Sequence, residues 1–220
     1  MKTMQKTREK TRKLVVAGML SAVTMVLGLT PLGIIPIGPL NATILHVPVI
    51  IGAVLEGPVV GFVIGLIFGL FSLYRAAVGG SVLAPLFLNP VVTILPRVLI
   101  GPVAYYVFRG ISHLTRKRAL SVGAAAVAGT LTNTIGVMGL IFILYAQQYA
   151  DLMGISSQGV GLAILSASAV NGIPECILAA VVTVAVVLAV WKLTGSGPQH
   201  TGKPHSGGAT PPERESPRKG

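Results

Sequence analysis

The sequence predicts an all-α membrane protein, a bundle of six transmembrane helices with both termini cytoplasmic. Three observations carry that expectation. Between residues 14 and 191 the only charged side chains are Glu56, Arg75, Arg97, Arg109, Arg116, Lys117, Arg118, Asp151 and Glu175, and they divide an apolar chain into stretches of membrane-spanning length. Hydrophobic residues make up 52% of the 220 positions and charged residues only 10%, with a mean hydropathy of +0.79, so lipid is the solvent that suits this chain. The basic residues that give a net charge of +11 gather in residues 2–13, in 109–118 and in the C-terminal tail, the pattern of cytoplasmic loops.

Helices are expected at 14–30, 40–56, 58–76, 86–109, 119–147 and 162–193, each long enough to cross a core of about 30 Å at about 1.5 Å per residue. The first follows the basic run and has no clear small-residue cleavage site, so it reads as a retained helix and not a signal peptide. It carries two small-residue steps, Ala17 to Ser21 and Gly18 to Ala22, which suit either packing inside the bundle or a face offered to a partner. Residues 30–39 hold three prolines, two glycines and no charge. They form a shaped apolar loop on the outer side, expected to fold over the bundle or a ligand as a lid. In the third helix Gly57, Gly61, Gly65 and Gly69 recur every four residues and line one face, where a neighbouring backbone can approach closely; internal helix packing is the expected use.

The domain organisation follows: a basic cytoplasmic N-terminus at 1–13, a six-helix membrane domain at 14–193, and a disordered cytoplasmic tail at 194–220. In the tail Gly, Pro, Ser, Thr and charges replace apolar residues and leave nothing to build a core. The expected location is the cell membrane, crossed several times.

Several function classes are excluded by what the chain lacks. Its basic clusters have no interleaved aromatics and belong to no nucleic-acid-binding module. Cys176 is the sole cysteine, so no intramolecular disulfide exists. There is no G-x-x-x-x-G-K-[ST] for ATP, no H-E-x-x-H or other metal-ligand spacing, and no G-x-S-x-G nucleophile. The chain is expected to be no enzyme, with no catalytic residues, no metal and no cofactor.

What remains is a set of polar residues where lipid should be, each needing a reason because polar groups in a bilayer cost free energy. Asn41, His46, Asn89, Asn171 and Glu175 fall in or near the outer half, and Arg75, Arg97 and Asn133 complete the candidate substrate-binding set. Asn89 precedes Pro90 and is equally suited to cap a helix. His46 can serve a backbone group freed by Pro48, and Arg75 can snorkel to headgroups. Arg97 needs an anion, either Glu175 or a substrate carboxylate. Glu56, beside Gly57 and Pro58, suits an inner turn as a solvated or capping carboxylate.

Taken together, the run from Thr30-Pro31-Leu32-Gly33 through Asn41-Ala42-Thr43-Ile44-Leu45-His46-Val47-Pro48, then Glu56-Gly57-Pro58, Phe87-Leu88-Asn89-Pro90, Leu95-Pro96-Arg97 and Thr130-Leu131-Thr132-Asn133-Thr134, resembles the substrate-binding S components of energy-coupling factor vitamin transporters. The likeness covers about residues 10–193 and is greatest to the pantothenate-type branch. It implies a six-helix bundle that captures a vitamin from outside beneath the first loop. It also implies docking of the first helix, through Ala17, Gly18, Ser21 and Ala22, onto a transmembrane coupling subunit driven by two cytosolic ATPases. The usual Ala-x-x-x-Ala spacing is replaced here by Ala17-Gly18-Met19-Leu20-Ser21-Ala22. The expected function is therefore high-affinity vitamin binding for an ATP-driven importer, with pantothenate or another carboxylated vitamin as substrate. A self-sufficient secondary carrier using Glu175 or His46 as a proton site, and a membrane scaffold with no small ligand, are the competing readings.

Overall fold

The computed structural model describes residues 2–195 except 31–32, 38–39, 80–81 and 116, and gives no side-chain surroundings for 2–6 and 34–42. The tail expected at 194–220 lies, beyond Gly195, outside the described residues. In chain order the elements are α1 (Lys2–Leu29), β1 (Ile34–Ile37), β2 (Leu40–Thr43), α2 (Val47–Glu56), α3 (Pro58–Val78), α4 (Ala84–Phe87), α5 (Pro90–Leu114), α6 (Arg118–Met153) and α7 (Val160–Thr194), with a 3-10 turn at Ser157–Gly159. Among the described residues, five helical segments are long and apolar enough to cross a membrane: Thr7–Leu29, Pro58–Val78, Pro90–Leu114, Arg118–Met153 and Ser157–Thr194. Large apolar side chains on all of them face outward, among them Met19, Tyr74, Tyr106, Ile143 and Leu193, the surface that lipid covers.

The second segment departs from the expected continuous helix over 40–56. Residues 40–43 instead pair antiparallel with 34–37, in register Ile34 with Thr43 and Ile37 with Leu40, leaving Gly38 and Pro39 between the strands. The expected shaped loop is thus largely a β-hairpin. Pro48 explains the late helix start: it lies in the first turn of α2, where a missing N–H costs nothing, and residues before it have no such nucleus. The ten residues of α2 span only about 15 Å, half of a hydrocarbon core of about 30 Å. Val47 to Val54 are all buried, so α2 is a core element walled by the longer helices. The first helix differs in the other direction. It continues back through the basic run to Lys2, since Lys, Arg, Gln and Glu are good helix formers.

Glycine sets the spacing of α3 against α5. A Cβ at Gly61 would lie 2.8 Å from Gly101 Cα, one at Gly69 would lie 3.0 Å from Ile94 Cα, and one at Gly65 would collide with the carbonyl oxygen of Arg97. The four-residue glycine face is therefore filled by the α5 backbone. Gly57 differs from its three companions. It precedes α3 with φ 103°, a conformation that glycine adopts freely, and a Cβ there would meet nothing within 4 Å. It turns the chain between α2 and α3 and takes no part in the packing face.

Two apolar clusters result. One, containing Ile50, Ile64, Ile100, Val122, Val187 and Trp191, joins α1, α2, α3, α5, α6 and α7. The other, containing Leu86, Val92, Ile141, Tyr149, Val160 and Ile164, gathers around the far ends of α6 and α7. Both of these helices are longer than expected, and α6 passes through a non-helical Tyr145 (φ −139°, ψ 25°) before ending at the left-handed Gly154. At the opposite end of the bundle Glu56 Oε2 accepts from Arg12 Nη2 at 3.0 Å, tying α1 to the α2–α3 corner.

Replacing Gly65 by Ala should push α3 from α5 and lower stability by about 1–3 kcal/mol, the usual cost of overpacking. Gly110→Ala, at a position where a Cβ meets nothing within 4 Å, should leave the melting temperature within a degree or two. Thermal unfolding in detergent of both variants checks this.

Candidate functional site

Between the two apolar clusters lies a cavity of about 740 Å³, lined on its polar side by Thr43, Arg97, Asn133, Thr134, Asn171 and Glu175 and on its apolar side by residues such as Phe87 and Met138. The six polar groups arrive on four supports. Thr43 ends β2, Arg97 sits about two turns inside α5, Asn133 and Thr134 lie mid-way along α6, and Asn171 and Glu175 occupy successive turns of α7. Four of the expected residues are thus brought together.

Arg97 is 7% exposed. Its guanidinium lies between the rings of Phe68 and Phe87, 5.8 Å from each centroid, and Nη1 donates to Val92 O at 3.1 Å. A central arginine costs about 2.5–3.5 kcal/mol in a bilayer, whereas desolvated ring contacts return up to about 2 kcal/mol each. The rings and one carbonyl therefore suffice to keep the side chain in place. They do not complete it: Nε is buried with no hydrogen-bond partner among the described residues, and no ion pair joins Arg97 to Glu175.

Glu175 is occupied elsewhere. Its Oε1 accepts from the Thr43 backbone N–H at 2.9 Å and from Thr43 Oγ1 at 2.8 Å, which fastens the end of the hairpin to α7. Of the two partners open to Arg97, the internal one is thereby absent. Asn133 Oδ1 is also buried without a partner, while Asn171 donates its amide to Ala167 O at 3.0 Å.

Of the remaining candidates, His46, Asn89 and Arg75 lie outside the cavity lining. His46 is 1% exposed and caps no helix with its side chain; its Nε2 meets Thr130 Oγ1 at 2.9 Å. Because that hydroxyl donates to Ala126 O, Nε2 carries the proton, and Nδ1 is left as a buried acceptor with no partner among the described residues. Asn89 caps α5 by accepting from Val91 N at 2.9 Å and donates to Tyr145 Oη at 2.8 Å, beside the irregular turn of α6. Arg75 donates to Gly28 O at 2.8 Å, joining α3 to α1. Asn41 contributes backbone pairing with Pro36, and its side chain lies outside the described residues. Thr43 and Thr134 were not among the site candidates read from the sequence, since threonine in a membrane helix most often bonds its own helix, as Thr24, Thr130 and Thr132 do.

The small residues of α1 separate into two faces. Ala17 and Ser21 are buried against the bundle, whereas Gly18 and Ala22 are exposed, and a Cβ at Gly18 would meet nothing within 4 Å.

Hydrogen bonds to a charged acceptor are worth about 1.5–3 kcal/mol. Glu175→Ala should therefore speed amide exchange at Thr43 by tenfold or more while leaving exchange in α3 unchanged, as read by hydrogen–deuterium exchange. Unaltered Thr43 protection would show that the hairpin is held by other contacts.

Comparison with known proteins agrees with this architecture. The family described as "ECF transporter, substrate-specific component" matches residues 12–187. The chain is 32% identical over 168 residues to the pantothenic acid transporter PanT of Lactococcus lactis subsp. cremoris, covering 70% of this chain and 80% of that protein. It is 29% identical over 187 residues to the pantothenate transporter PanT of Leuconostoc mesenteroides, covering 80% and 91%. Family and relatives are transporters and not enzymes. The chain, a multi-pass membrane protein with a polar cavity set inside an apolar bundle, belongs to the substrate-specific components of ECF transporters.

Proposed function

We propose that this protein is the high-affinity pantothenate-binding subunit of an ATP-driven ECF importer, and that the cavity between the apolar clusters is its substrate site. The observation that carries the reading is the buried Arg97, which faces a cavity with no carboxylate of its own to pair with, Glu175 being held by Thr43. An arginine of this kind suits a ligand carboxylate, bound in a bidentate, charge-assisted manner. The lining also offers acceptors, Glu175 and Asn133 Oδ1, that suit hydroxyl donors. Pantothenate has that polarity: a carboxylate at one end, two hydroxyls at the other and an amide between. The names of the two relatives support the same choice.

In this reading Arg97, Asn133, Asn171 and Glu175 contact or orient the substrate, joined by Thr43 and Thr134. His46 supports the cavity from beneath through Thr130, and the β-hairpin closes it, held by Glu175. Asn89 and Arg75 act as structural groups, on α6 and α1 respectively. The basic residues of 2–13, 109–118 and the tail support cytoplasmic termini. The exposed Gly18 and Ala22 support docking of α1 onto a coupling subunit that two cytosolic ATPases drive. Ala17 and Ser21, being buried, pack within the protein. Family membership favours this over a self-sufficient carrier or a scaffold.

The purified chain should be stabilised by pantothenate by about 2.7 kcal/mol at a hundred times the dissociation constant, as read by thermal shift. Other B vitamins and biotin should give no shift at the same concentration. Arg97→Ala should weaken binding tenfold or more, about 1.4 kcal/mol upward, in a folded protein. Unchanged affinity would remove Arg97 from the site. For docking, Gly18→Leu should reduce pantothenate uptake by cells at least tenfold while binding by the purified variant stays within twofold of the original. Uptake that persists without coupling and ATPase subunits would favour a secondary carrier.

A further inference from the structure

A second concavity, of about 780 Å³, lies away from the polar cavity along the outside of the bundle, where α5 and α6 meet α7. Its floor is made by Gly123, Ala124, Ala128 and Ala180, and Val107 and Leu120 are among its apolar walls. Among the described residues, the only charged one in the lining is Lys117, at one end. Exposed Arg109, His113 and Arg118 stand on the same ends of α5 and α6.

Charge decides what such a groove can hold. From residue 57 to residue 150 the sequence contains no Asp or Glu, so α5 has no carboxylate, and the only one on α6 is Asp151. Asp151 is 33 residues beyond Arg118, about 50 Å along the helix. Neither α5 nor the part of α6 before Asp151 thus brings a carboxylate to Lys117, and Glu175 of α7 lines the polar cavity instead. The rest of the groove excludes a soluble anion as its full occupant, since its surface is apolar. From Lys117 to Leu131 it runs about 21 Å along α6, which exceeds one leaflet's share of a core of about 30 Å.

We propose that this groove is a binding site for an anionic glycerophospholipid, its phosphate on Lys117 and one acyl chain laid over Gly123, Ala124 and Ala128. Small residues make the wall concave where the chain passes, and the cation selects the headgroup. The site is separate from the polar cavity and does not depend on what that cavity binds.

The test is native mass spectrometry of the detergent-purified full chain mixed with phosphatidylglycerol or with phosphatidylcholine of the same acyl chains. Phosphatidylglycerol should be retained at least tenfold more than phosphatidylcholine. Lys117→Gln should reduce that retention fivefold or more, Lys117→Arg should restore it, and Ala128→Phe should block it by filling the groove. Because Lys117 is exposed, its variants report on the site even if Ala128→Phe fails to fold. Glycerol 3-phosphate in large excess should not displace the lipid. Displacement by it would assign the position to a soluble anion, and equal retention of both lipids or full retention by Lys117→Gln would remove the headgroup site. Dimers lost on Ala128→Phe, with no lipid selectivity, would assign the groove to a second copy. Each of these results overturns the proposal.

Discussion

The close approach of α3 to α5 is the constraint on which the rest depends. In lipid, no hydrophobic driving force pulls helices together, so contact area between backbones must do the work. Gly61, Gly65 and Gly69 allow it against Gly101, the Arg97 carbonyl and Ile94. The same contact fixes where Arg97 begins. With the α5 backbone pinned at this residue, the side chain extends between Phe68 of α3 and Phe87 of α4. A helix-packing motif and a polar site are here two sides of one stretch of chain.

The polar groups of the bundle are handled in two ways. Most hydroxyls and amides are satisfied inside their own helix, as Thr132 is by Ala128 O, Ser168 by Ile164 O and Asn171 by Ala167 O. These cost little and require no neighbour. A smaller set reaches across elements: Glu175 to Thr43, His46 to Thr130, Asn89 to Tyr145. The crossing bonds lie around the cavity and the neighbouring ends of α6 and α7, where the regular helix pattern is interrupted by the hairpin and by Tyr145. Irregular backbone at membrane depth is tolerated where protein encloses it, and these bonds supply part of that enclosure.

Much of the fold was legible because a bilayer enforces long apolar runs between charges. The positions of α3, α5, α6 and α7 follow from that demand, and the four-residue spacing of Gly61, Gly65 and Gly69 identified a packing face. The hairpin was not read from the sequence, since the apolar residues of 34–43 suit a strand, a loop or a helix equally well by hydropathy. The turn-forming pair Gly38-Pro39 between residues 34–37 and 40–43 was the available signal. Of the candidate site, Arg97, Asn133, Asn171 and Glu175 were legible as polar residues in apolar helices, and the cavity joins them. The bond from Thr43 to Glu175 was not, because it links residues 132 apart in sequence and periodicity describes only one element at a time. Asn89 and Arg75 look the same in sequence as the cavity residues. Only their neighbours, Val91 and Tyr145 for one and Gly28 for the other, distinguish structural use from access to the cavity.

The incomplete environment of Arg97 has a consequence for hydration. A guanidinium with an unsatisfied Nε draws water into a cavity whose apolar lining, Phe87 and Met138 among it, repels it. If the cavity binds its substrate as proposed, an anion seated on Arg97 removes that attraction, so a loaded cavity is drier than an empty one. Emptying it then begins with solvent regaining the guanidinium, and any movement that opens a water path to α5 weakens the bound state without touching a single side chain of the site.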